Sequence, residues 1–215
     1  GHREEQPPAA TTPVSPSTER QPGYAWVVMG NLWGMDLANV FVFMSIGVLI
    51  PIWKEDLGMT PLQAGLMGSA GFFGFGVMAL PASIWLTKYN PKLVTVMSAL
   101  GMAGAALLHA VAPNVAVLLI ARLAFVLLAV SRIQMQIIFI QQWFQPRLYA
   151  IINSLDFSNR SLGQMVGIAA TPSLVVLLGG WRPVYVAVAI VLTLLSIVWL
   201  FLGKERHRTQ AEGGP

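Results

Sequence analysis

The chain has 215 residues, of which 55% are hydrophobic and 10% charged, with a mean hydropathy of +0.66. A soluble domain carries about 25% charged residues, so this composition excludes an ordinary water-soluble globule. The net charge of +4 comes from basic residues scattered between apolar runs, which is a pattern of membrane topology and not of a nucleic-acid-binding face. With no cysteine, disulfides and thiolate metal sites are excluded as well.

Residues 1–22, GHREEQPPAATTPVSPSTERQP, are rich in Pro, Ser, Thr and charge and have no apolar period. They read as a disordered cytoplasmic tail. An apolar stretch behind a basic start is missing, so this is not a signal peptide. The chain also lacks an initiator Met, as a processed, tagged or partial polypeptide would.

Six apolar runs follow, at 24–53, 62–87, 92–112, 115–143, 148–178 and 183–203. Each is near or above the ~20 residues that cross a bilayer as a helix. The breaks KEDLGMTP, KYNPK, APN, QPR and GGWRP are short and punctuated by Pro or Gly, as tight turns between antiparallel helices are. The fold class predicted is an all-α membrane protein. Six transmembrane helices fill residues 23–203, and residues 204–215 form a cytoplasmic linker or the start of a central loop.

Basic residues in the short loops orient the bundle. Arg20, Lys88, Lys92, Arg147, Lys204, Arg206 and Arg208 fall on one side, against Lys54 and Arg182 on the other, so both termini are expected in the cytoplasm. Tyr24, Trp26, Trp53, Trp85, Trp143 and Trp181 stand near run ends, where interfacial anchors belong. The spacings Ala64/Gly68, Ala70/Gly74 and Gly163/Gly167 suit close helix packing in lipid.

Polar residues inside the runs carry the functional information, because a charge at the bilayer centre costs at least ~2.5–3.5 kcal/mol. In the fifth run, helical spacing places Asn153, Asp156, Arg160 and Gln164 within an arc of roughly 80°, with Gly163 and Gly167 on the same side. Asp156 and Arg160 stand four apart, acid before base, so they can pair. That pair is open to two readings, helix glue or function.

The fourth run adds Arg122, Arg132 and Gln136 on one face, and the first adds Asn31, Asp36 and Asn39. Counting from the run ends puts Asp36, Arg132 and Arg160 all ~16–18 Å deep, near the middle of a ~30 Å core. They point to one shared, hydrated, mid-membrane site. Arg122 lies nearer the outer end, where snorkelling would account for it. His109 is expected at the interface.

Catalytic motifs are missing, and the run GFFGFG (71–76) lies in a helix, so it is no phosphate loop. No enzyme, metal or cofactor is expected.

The stretch QQWFQPRLYAIINSLDFSNRSLGQMVG, followed by GGWRPVYVAVAI, resembles the amino-terminal half of a major facilitator superfamily transporter. In that family an aromatic-Phe-Pro-x-Arg turn joins helices four and five, and Gly-Trp-Arg precedes helix six. RLAFVLLAV resembles the family's Arg-led motif in helix four, with Val126 in place of its Gly. The family's acidic turn between helices two and three is represented by SIWLTKYNPK (83–92). Lys88 and Lys92 are in step there, while Thr87 holds the acidic position and Asn90 that of the second Gly. The missing acid is the one that helps latch the two halves, which puts the family's conformational cycle in question.

The resemblance implies a secondary active transporter, or half of one, that moves a small anionic solute by alternating access with possible proton coupling. Arg132 and Arg160 would bind the anion, with Asn39, Gln136 and Gln164 as hydrogen-bonding partners. Asp36, with Asp156, would carry the proton. A drug or a sugar stays open as substrate. The expected surroundings are the lipid bilayer of the cell (inner) membrane and a second six-helix half or partner chain. Three readings of the length compete: a fragment of a full transporter, a natural half-unit, and a non-transporting assembly subunit that keeps the fold.

Overall fold

A computed structural model describes residues 23–203. The expected tail at 1–22 and linker at 204–215 lie outside the described residues. Six long α-helices account for nearly all of them: α1 (Gly23–Leu57), α2 (Pro61–Trp85), α3 (Pro91–Val111), α4 (Val115–Trp143), α5 (Tyr149–Leu177) and α6 (Trp181–Leu202). Short 3-10 turns at Leu86–Lys88 and Pro146–Leu148 follow α2 and precede α5.

Five of the six helices are long and apolar enough to cross a membrane. The exception is α5, whose 29 residues are ample in length but carry the polar stripe.

The helix ends have local causes. Thr60 caps α2, accepting from Gln63 N at 3.3 Å while the Gln63 side chain accepts from Thr60 N at 2.9 Å, and Pro61 opens the helix. The Asn90 and Asn114 side chains cap α3 and α4 by accepting from Leu93 N and Val117 N. The first helix runs four residues past its expected end, through Lys54–Leu57, and stops where Gly58 adopts φ +64°. An L side chain is strained at that angle, so glycine sets the stop.

Packing does not follow chain order. Helix α3 packs against α4 and α6, α2 against α4, and α1 against α5 and α6. Few backbone contacts join α1 to α4, and the backbones of α4 and α5 barely approach. Gly163 and Gly167 let α5 lie on α1, since a Cβ at Gly167 would stand 3.2 Å from Phe41 Cα. Gly74 likewise admits Val126 of α4. Gly68 faces open space, so close packing does not explain it.

The expected interfacial aromatics divide. Trp85 is exposed, but Trp53, Trp143 and Trp181 are buried. Trp53 packs edge-on to Trp181 at 5.8 Å and stacks with Tyr185 at 6.4 Å, because α1 and α6 close together at that end. Trp181 Nε1 donates to Asp56 there at 2.8 Å, and Arg182 donates to the terminal α3 carbonyls of Ala110 and Ala112. At the opposite end the Tyr24 hydroxyl donates to Leu202 O.

Candidate functional site

Side chains join α4 to α1 and α5, two helices that pack on each other but share little backbone contact with α4. The ion pair of Asp36 with Arg132 joins α1 to α4, and both side chains are buried. Arg132 Nη1 also donates to Gln136 Oε1 at 2.9 Å, one turn along α4. Gln136 Nε2 donates to Asp36 Oδ2 at 2.9 Å and to Asp156 Oδ1 at 2.7 Å, which brings in α5. Asp156 Oδ2 in turn pairs with Arg160 Nη2 at 2.9 Å, across the four-residue spacing read in the sequence. Arg160 Nε lies 4.0 Å from Asp36 Oδ2 and closes the ring.

The result is a connected set of two carboxylates, two guanidiniums and one amide. Its formal charge is zero. Burial without such pairing would cost several kcal/mol per ion, so the network gives a physical reason for the polar stripe of α5. Counting residues in the sequence sets two acids against three arginines. In space, Arg132 and Arg160 match the two acids, and Arg122 lies elsewhere.

The two arginines differ in access. Arg132 is sealed at 0% exposure, whereas the Arg160 side chain is 33% exposed. Arg160 lines a cleft of about 230 Å³ together with Asn39, Gln164 and the rings of Phe43, Phe72 and Phe75. Asn39 and Gln164 thus stand beside Arg160, while Arg132 and Gln136 form the layer behind.

Two expectations are corrected. Arg122 does not snorkel. It is 1% exposed, and its guanidinium lies 4.7 Å from the centroid of Phe43. Gly71 makes room for it, since a Cβ there would stand 2.9 Å from Arg122 Nη2 and 2.5 Å from the Phe43 ring. His109 is also fully buried and not interfacial. Its ring stacks on Tyr185 at 4.7 Å, and Nδ1 lies 2.8 Å from Ala105 O. In both cases an aromatic partner on another helix accepts the side chain, and no spacing along one helix reveals such a partner.

The aromatic lining of the cleft was not singled out in the sequence. Its signal was available, because Phe72 and Phe75 stand three apart on α2 within GFFGFG and so share a face.

A family model described as Major Facilitator Superfamily matches residues 12–215. The chain is 22% identical over 198 residues to the uncharacterized transporter YybO of Bacillus subtilis (strain 168), covering 91% of this chain and 45% of that protein. Among solved structures it is similar to a bacterial homolog of the human lysosomal transporter Spinster, in an inward-facing and unoccupied conformation. That similarity has a TM-score of 0.70 at 17% identity, and covers 87% of this chain and 44% of the other. The chain thus spans less than half the length of each.

Proposed function

Because the chain belongs to the major facilitator superfamily and is a multi-pass membrane protein, we propose that it is a secondary active transporter, or half of one, for a small organic anion. Transport proceeds by alternating access and is coupled to protons.

The observation that carries this reading is the difference between the two arginines. Arg160 opens on the cleft with one edge of its guanidinium on Asp156, so an entering carboxylate can take the rest. Asn39 and Gln164 lie beside it to hydrogen-bond the solute. Arg132 is held by Asp36, and Gln136 holds both. Protonation of Asp36 would remove the charge that holds Arg132 and let that cation turn to the anion, so the proton and the solute favour the same state. Asp156 plays the corresponding part for Arg160.

The unpartnered faces support a second six-helix half or partner chain. Helix α5 buries Ile152, Gly163, Gly167 and Thr171, against fifteen residues buried by α4. It leaves Ser154, Ser158 and Ser161 exposed. Polar groups in lipid are costly, and a covering half would remove that cost and close the cleft on one side at a time. In this arrangement α5 is the sixth span, both termini lie in the cytoplasm, and the membrane is the cell (inner) membrane. A second reading, a non-transporting assembly subunit, draws support from the neutrality of the network, which is satisfied without a substrate.

The test is uptake of labelled carboxylates into proteoliposomes by the assembled protein. Per folded protein in the membrane, Arg160→Gln and Arg132→Ala are expected to abolish uptake, and Asp36→Asn to remove its pH dependence. Unchanged uptake and pH response in all three variants would leave the network a structural clamp.

A further inference from the structure

The cleft is lined by two unlike kinds of side chain. Its polar lining is Arg160, Asn39 and Gln164, and its aromatic lining is Phe43, Phe72 and Phe75. The aromatic lining is prebuilt. Phe43 rests one face on the Arg122 guanidinium, and its ring meets Phe72 edge-on at 5.5 Å and 89°. Gly71 leaves no room for Phe43 to retreat, because even a methyl group there would collide with the ring. Phe72 is 72% exposed, far more than a core aromatic, and so offers its surface to whatever enters.

Arg122 gives this wall an unusual electrostatic character. Its Nε and Nη1 have no hydrogen-bond acceptor, and it makes no ion pair among the described residues. Its charge is therefore not cancelled by a partner ion among the described residues, and it acts on the Phe43 ring it touches. A phenyl face is ordinarily negative and repels anions. A cation held over the Phe43 ring draws that charge away and makes the ring more hospitable to an electron-rich or anionic body.

We propose that the solute is an amphipathic organic anion, a monocarboxylate on an aromatic body. Its carboxylate meets Arg160 and its ring meets Phe72, Phe75 and the cation-bearing Phe43. This rests on the anion reading above and narrows it, because a hydroxylated sugar acid finds no hydrogen-bonding partners along the aromatic lining. A volume of about 230 Å³ is just below the ~300–1,000 Å³ typical of ligand pockets, and suits a solute of one ring.

The experiment is calorimetric titration of the protein in lipid nanodiscs with phenylacetate, gluconate and the neutral phenylacetamide. Phenylacetate is expected to bind about tenfold more tightly than gluconate, as an aromatic contact allows. Phe72→Leu and Phe75→Leu keep apolar bulk and fold, checked by an unchanged melting midpoint, and should bring the two anions within about twofold. Equal binding of phenylacetate and gluconate in the unaltered protein, or a preference that survives both leucine variants, overturns the aromatic-body inference and leaves the anion reading standing. Phenylacetamide binding as tightly as phenylacetate overturns the anion reading. Binding of none of the three overturns both.

Discussion

Gln136 Nε2 donates to Asp156 Oδ1 at 2.7 Å from a helix whose backbone barely approaches that of α5. The same nitrogen donates to Asp36 at 2.9 Å. One amide thus fixes both carboxylates. Gln136→Leu preserves bulk and removes both donors, and a hydrogen bond to a charged group contributes about 1.5–3 kcal/mol. The melting midpoint in detergent should fall by roughly 5 °C or more. A shift under one degree would mean that the carboxylates do not depend on this amide.

Asp36 and Arg132 should behave as one unit. Removing a single partner of a buried ion pair costs about 3–5 kcal/mol, because the other charge is left alone. Asp36→Asn and Arg132→Gln are each expected to destabilise strongly, and the double variant to recover much of the loss. A double-mutant cycle on the unfolding midpoint in detergent measures the coupling. Losses that simply add would show the two charges to be independent.

The glycines on α2 should separate by what faces them. Gly71→Ala drives a methyl group into Phe43 and Arg122, and overpacking of this kind costs about 1–3 kcal/mol. Gly68→Ala meets nothing within 4 Å and should be neutral or gain up to about 1 kcal/mol from helix propensity. Paired thermal melts would check the contrast. Equal effects at the two positions would argue against the close approach of Gly71 to Phe43.

Sidedness can be read with single cysteines, since the chain has none of its own. Glu55 precedes the α1–α2 turn and Tyr89 lies in the α2–α3 turn, and both are exposed at opposite ends of the bundle. With cytoplasmic termini, an impermeant thiol reagent added outside intact cells should label Glu55→Cys and spare Tyr89→Cys. The reverse pattern would invert the orientation.

The site was legible in the sequence where one helix holds both partners. Asp156 and Arg160 follow from four-residue spacing, and Gly163 and Gly167 from the packing face they share. That Asp36, Arg132 and Arg160 stand at one level of the bundle was also legible, because rise per residue is fixed within a helix. What lay out of reach depends on which helices become neighbours. Arg122 against Phe43, His109 against Tyr185 and Trp53 against Trp181 each need a partner far along the chain. The two carboxylates that Gln136 faces were out of reach for the same reason, since nothing in its own helix shows them.

The pairing of Asp36 with Arg132 also sets a schedule for the ribosome. Ninety-six positions separate the two residues, so α1 is made long before its counter-charge exists. At about 5–20 residues per second, the delay is roughly 5–20 seconds. During that interval a carboxyl group in a helix otherwise apolar enough to cross the bilayer has no guanidinium to meet. Arg160 arrives later still. The nascent helix must either wait at the translocation machinery or carry an unpaired acid into lipid. Assembly of the first helix is therefore completed by the fourth and fifth.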